Sequence, residues 1–312
     1  MNKIVTITLN PAIDKSAAVA EMIPEKKLKC TNDKCEPGGG GINVSRAIKK
    51  LGGDSLALYL SGGHNGRFLN DLILKENISI LNIDSSHETR ENFIVFDEKN
   101  SLQYRFGFPG PTIVESEWKL LLQKLSSLNE IDFIVASGSV PNGIPDVIFC
   151  SIAKIANEKK AKFVLDTSGS ALTNSLTEKI FLIKPNLNEL ASIAGTTSIK
   201  MEDVIKISTS IIKNKNIEVI VVSLGAEGAM AVTKDEAFTL TPPKTNVLST
   251  VGAGDSMVGG IVWKLTNGYT LKEAIQYGVA CGTAATMHPG TELCNKETAD
   301  QIFEKINVQS PL

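Results

Sequence analysis

Long apolar runs are missing from this 312-residue sequence; none approaches the roughly 20 residues that a membrane-spanning helix needs. The opening residues, MNKIVTITLN, also lack the charged, apolar and small-residue order of a secretory signal, so the expected location is cytoplasmic. Charge of either sign is not in excess. The formal net charge is −2 and no block of five like charges occurs, which argues against nucleic acid or a membrane as partner and for small molecules. Three histidines, His64, His87 and His288, are too scattered for a metal cluster. The five cysteines, Cys30, Cys35, Cys150, Cys281 and Cys294, form an odd set whose one close pair lacks zinc or redox spacing, so free thiols are expected. No Gly-Lys-Ser or Gly-Lys-Thr is present and no dinucleotide fingerprint opens after a strand, which disfavours both familiar nucleotide-binding folds.

What is present is enough apolar residue, 42%, to bury a large core. Apolar β-type runs recur at 3–9, 55–60, 132–137, 162–167, 180–185 and 218–224. Helical patterns fall between them at 41–51, 65–76, 115–128 and 145–159. This alternation predicts an α/β fold with a mostly parallel sheet covered on both faces and ligands beyond the strands' carboxyl ends. Two segments, 14–36 and 90–108, read instead as β-hairpins forming a small separate sheet, either a lid or a dimer surface. No repeat, linker or charge break divides the chain, so a single domain over 1–312 with an inserted lid is expected.

The stretch STVGAGDSMVGG, residues 249–260, sets Asp255 among small and apolar residues at a helix start. An N-cap would account for the carboxylate. Gly252 and Gly254 add a reason to expect more, because such glycines permit close ligand approach. The amides of Gly252, Ala253 and Gly254 would then form an anion hole for a phosphoryl group, with Asp255 taking a hydroxyl proton. A second cluster, EPGGGGINVSRAI at 36–48, offers the amides of Gly39 to Gly41 and the Asn43 side chain to a sugar, or serves as a turn before a helix.

Weaker signals surround these two. KPNLNEL at 184–190 follows a strand and opens a helix; Lys184, Asn186 and Glu189 suit nucleotide phosphates and hydrated Mg²⁺, or an ordinary capped turn. SLGAEGA at 223–229 reads as a hairpin turn or the floor of an adenine site. Arginine is scarce, with four among 32 cationic residues. Arg46 and Arg67 read as solvated helix positions, while Arg90 and Arg105 lie beside or within the lid strands.

In order along nearly the whole chain, TLNPAID, PGGGGINVSRAI, TREN, QYRF, SGSVP, KPNLNEL, VSLGAEGA and STVGAGDSMVGG resemble the PfkB branch of the ribokinase-like carbohydrate kinases. Within that branch GGGGIN is most similar to 6-phosphofructokinases of the isozyme 2 type; 1-phosphofructokinases and tagatose-6-phosphate kinases usually carry Lys where this chain has Gly40. The resemblance implies ATP-dependent conversion of a ketohexose phosphate, fructose 6-phosphate to fructose 1,6-bisphosphate, with Asp255 as base. It implies sugar-phosphate contacts by Asp14, Gly39, Gly40, Asn43 and Arg90, with Lys27, Arg105 and Ser139 nearby. For ATP and Mg²⁺ it implies Lys184, Asn186, Glu189, Ser223, Gly225, Thr250 and Gly252 to Gly254, with Glu189 acting on Mg²⁺ through water. It also implies a K⁺ site of main-chain oxygens near Ser249, Val251, Ala285 and Gly290. There the sequence departs from the pattern, with Glu292 and His288 in place of Arg and Asn.

Three rival readings are a tagatose-6-phosphate kinase, a 1-phosphofructokinase and a noncatalytic sugar-phosphate sensor on the same scaffold. The lid sheet's open edges and partly apolar face favour a homodimer that pairs two lids.

Overall fold

The computed structural model describes residues 3–288 and 290–310. Its strands, in chain order, are β1 (Ile4–Thr8), β2 (Ala12–Val19), β3 (Thr31–Gly38), β4 (Leu56–Gly62), β5 (Ser79–Ser85), β6 (Arg90–Asp97) and β7 (Leu102–Gly107). There follow β8 (Phe133–Ser137), β9 (Lys162–Asp166), β10 (Ile180–Ile183), β11 (Ile217–Ser223), β12 (Ala229–Thr233), β13 (Ala237–Thr241) and β14 (Asn307–Gln309). Ten of them form the main sheet in the order β14-β13-β12-β11-β10-β9-β8-β1-β4-β5. From β11 to β5 all neighbours are parallel; β12, β13 and β14 extend the sheet antiparallel. β1, β8 and β10 are buried along their whole length, which is why their sequences, IVTIT, FIVAS and IFLI, are mostly apolar without polar residues alternating to a solvent face.

Helices cover both faces. On one side, Glu115–Ser127, Ile148–Glu158 and Val204–Asn214 contribute Leu121, Leu125, Ile152 and Ile211 to a core with Val5, Ile134 and Ile220. On the other, Gly40–Lys50, Ala253–Thr266 and Leu271–Thr286 pack Ala47, Ile261 and Ala280 against Val135, Leu182 and Val221. The chain runs from β1 outward through β4 to β5, then returns past the centre to β8 and proceeds the other way. The direction of winding therefore reverses between β1 and β8, where an open α/β sheet leaves a crevice at its carboxyl edge.

The remaining four strands form a separate sheet, β3-β2-β6-β7. Two antiparallel hairpins, β2–β3 and β6–β7, are joined by parallel pairing of β2 with β6. Asp14 lies opposite Asn92, and Arg105 opposite Ile94, so alternation puts these polar residues on one face. Phe93 lies opposite Phe106 and Val95 opposite Tyr104 on the other face, where Phe93, Tyr104 and Phe106 are exposed.

The fold corrects one reading. Arg46 is not a solvated helix residue: it is 2% exposed and forms ion pairs with Glu36 at 3.0 Å and Glu76 at 2.8 Å. β3 and the helix Gly63–Lys75 close over it, and the two carboxylates compensate its desolvation. Arg67 is exposed, as its helix position suggested.

Candidate active site

Two helices meet at the reversal point. Gly252 adopts a left-handed conformation, φ 72°, and the helix Ala253–Thr266 starts immediately after it with Asp255 in its first turn. The first bond of that turn runs from Ser256 N–H to the Gly252 carbonyl at 2.8 Å, so the amides of Gly252, Ala253 and Gly254 precede the intrahelical ladder and can face an anion. One turn further on, a side chain at Gly259 would come within 2.9 Å of Ala47 Cβ. Gly259 is four residues after Asp255 and Ala47 four after Asn43, so this small-on-small contact lets the two helices approach closely enough to join their functional residues. Asn43 Nδ2 donates to Asp255 Oδ2 at 3.0 Å, and Ser137 Oγ, from the end of β8, donates to Oδ1 at 3.0 Å.

Asp255 keeps some accessible surface, but protein surrounds its carboxylate. Burial raises its pKa from the usual 3.8 to about 6; the nearby charge of Asp166 adds to the rise, and the donors Asn43 and Ser137 oppose it. Asp166 ends β9 and pairs with Lys184, the residue after β10, across 3.1 Å. Burial alone would pull the Lys184 ammonium down; the charge of Asp166 and its hydrogen bond hold it above the ordinary lysine range. Lys184 also lies against the anion hole, since a side chain at Gly254 would fall 3.1 Å from its Nζ. A fixed positive charge thus stands beside free amides and a carboxylate tuned toward neutrality, an arrangement suited to moving a proton and an anionic group together.

The residues expected on the acceptor side lie on the small sheet and in the glycine cluster. Burial pushes Asp14 above its usual value, opposed by the Asn92 amide at 2.8 Å and by the charges of Arg46 and Arg90. Arg90 donates to the carbonyls of Phe108 at 2.9 Å and Asn10 at 3.1 Å, and Asn10 Nδ2 donates to Ser139 Oγ at 3.0 Å. Gly39 has φ 108°, which favours glycine, and a side chain at Gly40 would meet the Ser137 carbonyl carbon at 2.6 Å. Arg105 bridges the lid to the anion-hole segment by donating to Thr250 Oγ1 at 2.7 Å. Three buried polar atoms here, Asn43 Oδ1, Asn10 Oδ1 and Arg90 Nε, have no hydrogen-bond partner among the described residues. A polar ligand would satisfy them. Lys27 stands apart: it is exposed on the connection between β2 and β3, and no hydrogen bond or ion pair among the described residues ties it to the crevice.

Of the residues expected at the nucleotide, Asn186 and Glu189 bond each other's main chain at 2.9 Å in a capping box on the helix Leu187–Ala194. That bond uses Glu189 Oε2. Burial raises the pKa of Glu189, the backbone amide of Asn186 opposes this, and the charge of Asp166 adds to the rise. Two carboxylates at the carboxyl edge repel, which a hydrated divalent cation would relieve, so the donor set fits Mg²⁺. Ser223 bridges to Asn186, and Gly225 (φ 61°) lies in the exposed 3₁₀ turn between β11 and β12, so SLGAEGA is a hairpin connection. Ser249 Oγ donates to the Gly290 carbonyl at 2.9 Å and accepts from Val251 N–H at 3.2 Å. Leu248 and Ser249 amides reach the Thr286 carbonyl, which brings Ala285 to the same place.

A family model for the pfkB family carbohydrate kinases matches residues 1–298. The chain belongs to this family. Among curated relatives it is 36% identical over 304 residues to the ATP-dependent 6-phosphofructokinase isozyme 2 of Escherichia coli, covering 97% of this chain and 98% of that one. It is 31% identical to the 1-phosphofructokinase of Bacillus subtilis, covering 98% and 99%. The crystal structure of phosphofructokinase-2 from Escherichia coli in complex with potassium superposes with a TM-score of 0.93 at 36% identity, over 98% of this chain and 99% of that one. The protein is therefore a PfkB sugar-phosphate kinase of ribokinase-like fold, and membership implies ATP and Mg²⁺. No helix among the described residues is long and apolar enough to cross a membrane.

Several residues that line the candidate site were not singled out from the sequence. Ser137, Asp166, Asn10 and Asn92 all touch residues that were. Asp166 and Ser137 did carry a signal, because each is the polar residue that ends an apolar strand run at the carboxyl edge where ligands bind.

Proposed function

We propose that the protein transfers the γ-phosphoryl group of ATP to a hydroxyl of a ketohexose phosphate, with fructose 6-phosphate as acceptor and fructose 1,6-bisphosphate as product. The observation that carries this reading is the Asp255 carboxylate, gripped by Asn43 and Ser137 at a helix N-terminus whose amides are free. Asp255 takes the proton of the attacking hydroxyl, and its elevated pKa brings it near that task at neutral pH. The amides of Gly252 to Gly254 and the Lys184 ammonium stabilise charge on the phosphoryl oxygens in flight. Mg²⁺, held through water near Glu189, supplies further charge neutralisation when bound. Arg90 and Arg105 anchor the acceptor's phosphate, and Asp14, Gly39, Gly40, Asn43 and Ser139 align its hydroxyls. Lys184, Asn186, Ser223, Gly225 and Thr250 line the ATP side.

Residues 14–36 and 90–108 act as a lid on this single kinase domain, closing over the acceptor and excluding water that would hydrolyse ATP. Gly40 supports fructose 6-phosphate over the acceptors of Lys-bearing relatives, since its packing against Ser137 leaves no space for a side chain. A side-by-side comparison of kcat/KM on fructose 6-phosphate, tagatose 6-phosphate and fructose 1-phosphate tests the assignment. The highest value is expected with fructose 6-phosphate. Preference for another ketose phosphate would reassign the acceptor, and binding without any ADP formation would make the protein a sensor.

Potassium is the proposed monovalent activator. The Ser249 hydroxyl and the Gly290 carbonyl lie beside Val251 and Ala285, oxygen donors of the kind that suit K⁺, and the Glu36 carboxylate stands next to Gly290. The Glu292 carboxylate is paired with Lys34 at 2.5 Å. Equal turnover in potassium and in a bulky organic cation would remove this activator from the scheme. The enzyme acts in the cytoplasm as a homodimer whose two lids cover each other.

A further inference from the structure

Arg46 belongs to neither side of the reacting centre, yet its guanidinium is bound to both. Nη2 reaches Glu36 Oε1 at 3.0 Å, and Nη1 reaches the carbonyls of Pro37 at 3.0 Å and Thr291 at 3.2 Å. Nε forks to the two carboxylate oxygens of Glu76 at 2.8 and 3.0 Å. Thr291 closes the ring by donating Oγ1 to Glu36 Oε2 at 2.8 Å. Thr291 and Arg46 are almost fully buried, and Glu36 is largely so.

From this cluster two short chain segments lead to opposite sides of the proposed phosphoryl transfer. Glu36 and Pro37 run directly into Gly38, Gly39 and Gly40, which line the acceptor side. Thr291 follows Gly290, whose carbonyl accepts from Ser249; Ser249 in turn holds Val251 N–H, the residue before Gly252 and the anion hole. Each link is a hydrogen bond of ordinary length between buried or largely buried groups, so neither segment can shift without straining or breaking a bond to the other. Stability alone does not call for this design, because a buried ion cluster is often no more stabilising than a packed apolar one of the same volume. What a five-donor planar cation adds is fixed geometry among several chain segments at once.

We infer that Arg46, Glu36 and Thr291 form a positioning clamp that couples the acceptor loop to the anion hole, so that occupancy of the sugar-phosphate side tightens the nucleotide side and the reverse. The inference rests on the reading of these two sides given above. It assigns no contact with substrate to any of the three residues. Coupling between two sites is reciprocal, so it can be read from either ligand.

The test uses Thr291→Val, which exchanges the hydroxyl for a methyl, and Arg46→Lys, which keeps the charge but loses the fork. ADP formation from fructose 6-phosphate by the unmodified enzyme is measured first; its absence would overturn the kinase reading and this inference with it. Calorimetry then gives the affinity for fructose 6-phosphate with and without Mg²⁺ and a non-hydrolysable ATP analogue. The unmodified enzyme is expected to bind the sugar phosphate about fivefold or more tightly with the analogue present. In Thr291→Val that ratio is expected to fall toward one while the melting temperature changes by only about 2–4 °C, the scale of a single lost hydrogen bond. Arg46→Lys is expected not to restore it. A purely structural cluster would lower melting temperature and leave the ratio intact. Retention of the full ratio by either variant that remains folded, or no ratio in the unmodified enzyme, would overturn the clamp.

Discussion

Asn43 and Asp255 meet across 3.0 Å, the side-chain amide of one helix donating to the carboxylate of another. The contact leaves Asn43 Oδ1 buried without a hydrogen-bond partner among the described residues. Asn43 is thus placed to steady the ionised base with one atom and to receive a substrate hydroxyl with the other. Removing its donor makes the ionised form less favourable. In Asn43→Ala, the acidic limb of the kcat/KM profile is expected to move to higher pH by less than about one unit, and kcat/KM to fall about tenfold or more. A pH–rate series on the purified variant checks both; an unmoved limb would mean that the bond does not tune the base.

Replacement of the base itself separates activity from stability. Asp255→Asn is expected to bind ATP and to lose at least about 10²-fold in turnover. The fold should gain stability, because a carboxyl whose pKa rises from 3.8 to about 6 on folding costs free energy when ionised. That cost is absent below pH 4, develops as pH rises through 4 to 6, and is complete above about 6. Melting curves should therefore show the variant above the parent at pH 8 and level with it near pH 4. Near-normal turnover would reject Asp255 as base, and a lower melting temperature at pH 8 would reject the electrostatic account.

Asp166 gives the corresponding test from the other direction. Its charge raises the pKa of Asp255, and it also engages Lys184, whose charge lowers that pKa. Neutralising it removes the repulsion and leaves Lys184 to favour the Asp255 carboxylate. The acidic limb of kcat/KM, expected near pH 6 in the parent, should move to lower pH in Asp166→Asn. A limb that stays in place or moves upward would show that burial alone sets the base's pKa.

How much of this site the sequence discloses depends on whether a residue's role is local or assembled. Six runs read as strands all occur, in β1, β4, β8, β9, β10 and β11, because parallel strands in a sheet covered on both faces spell near-continuous apolar text. β5, with the sequence SILNIDS, and the short strands β12 to β14 carry no such run, and their pairing comes from neighbours already in place. Asp255 and its glycines are legible because a left-handed cap, a close helix contact and a free helix start each constrain nearby residues. Asp166 carries only the weaker signal of a polar residue ending an apolar strand, and its role emerges when β8, β9 and β10 bring it to Ser137 and Lys184. Arg46 misleads for the same reason: NVSRAIKK looks solvated at that position, and only the convergence of β3, Glu76 and Thr291 makes it interior.

The outer face of the small sheet makes a claim about assembly. Phe93 and Phe106 lie directly opposite each other, Tyr104 is beside them, and all three are exposed. Phe93 also packs edge-on against Phe108, which is exposed as well, with ring centres 5.7 Å apart. Aromatic side chains grouped this way on a sheet with two open edges, β3 and β7, are costly to leave in water and invite a second surface of the same kind. A second lid satisfies both needs, because a two-fold pairing brings each patch against its equal. The opposite face carries Asp14, Asn92 and Arg105, so assembly through the aromatic face leaves the proposed acceptor contacts uncovered. Sedimentation of the parent at micromolar concentration is expected to give a dimer, and the double variant Phe93→Ser, Phe106→Ser a monomer. If the same sheet holds the acceptor as proposed, the monomer should show a raised KM for the sugar phosphate with a smaller change for ATP. A parent that sediments as a monomer would overturn the pairing; a variant that stays dimeric would move the interface off the lid.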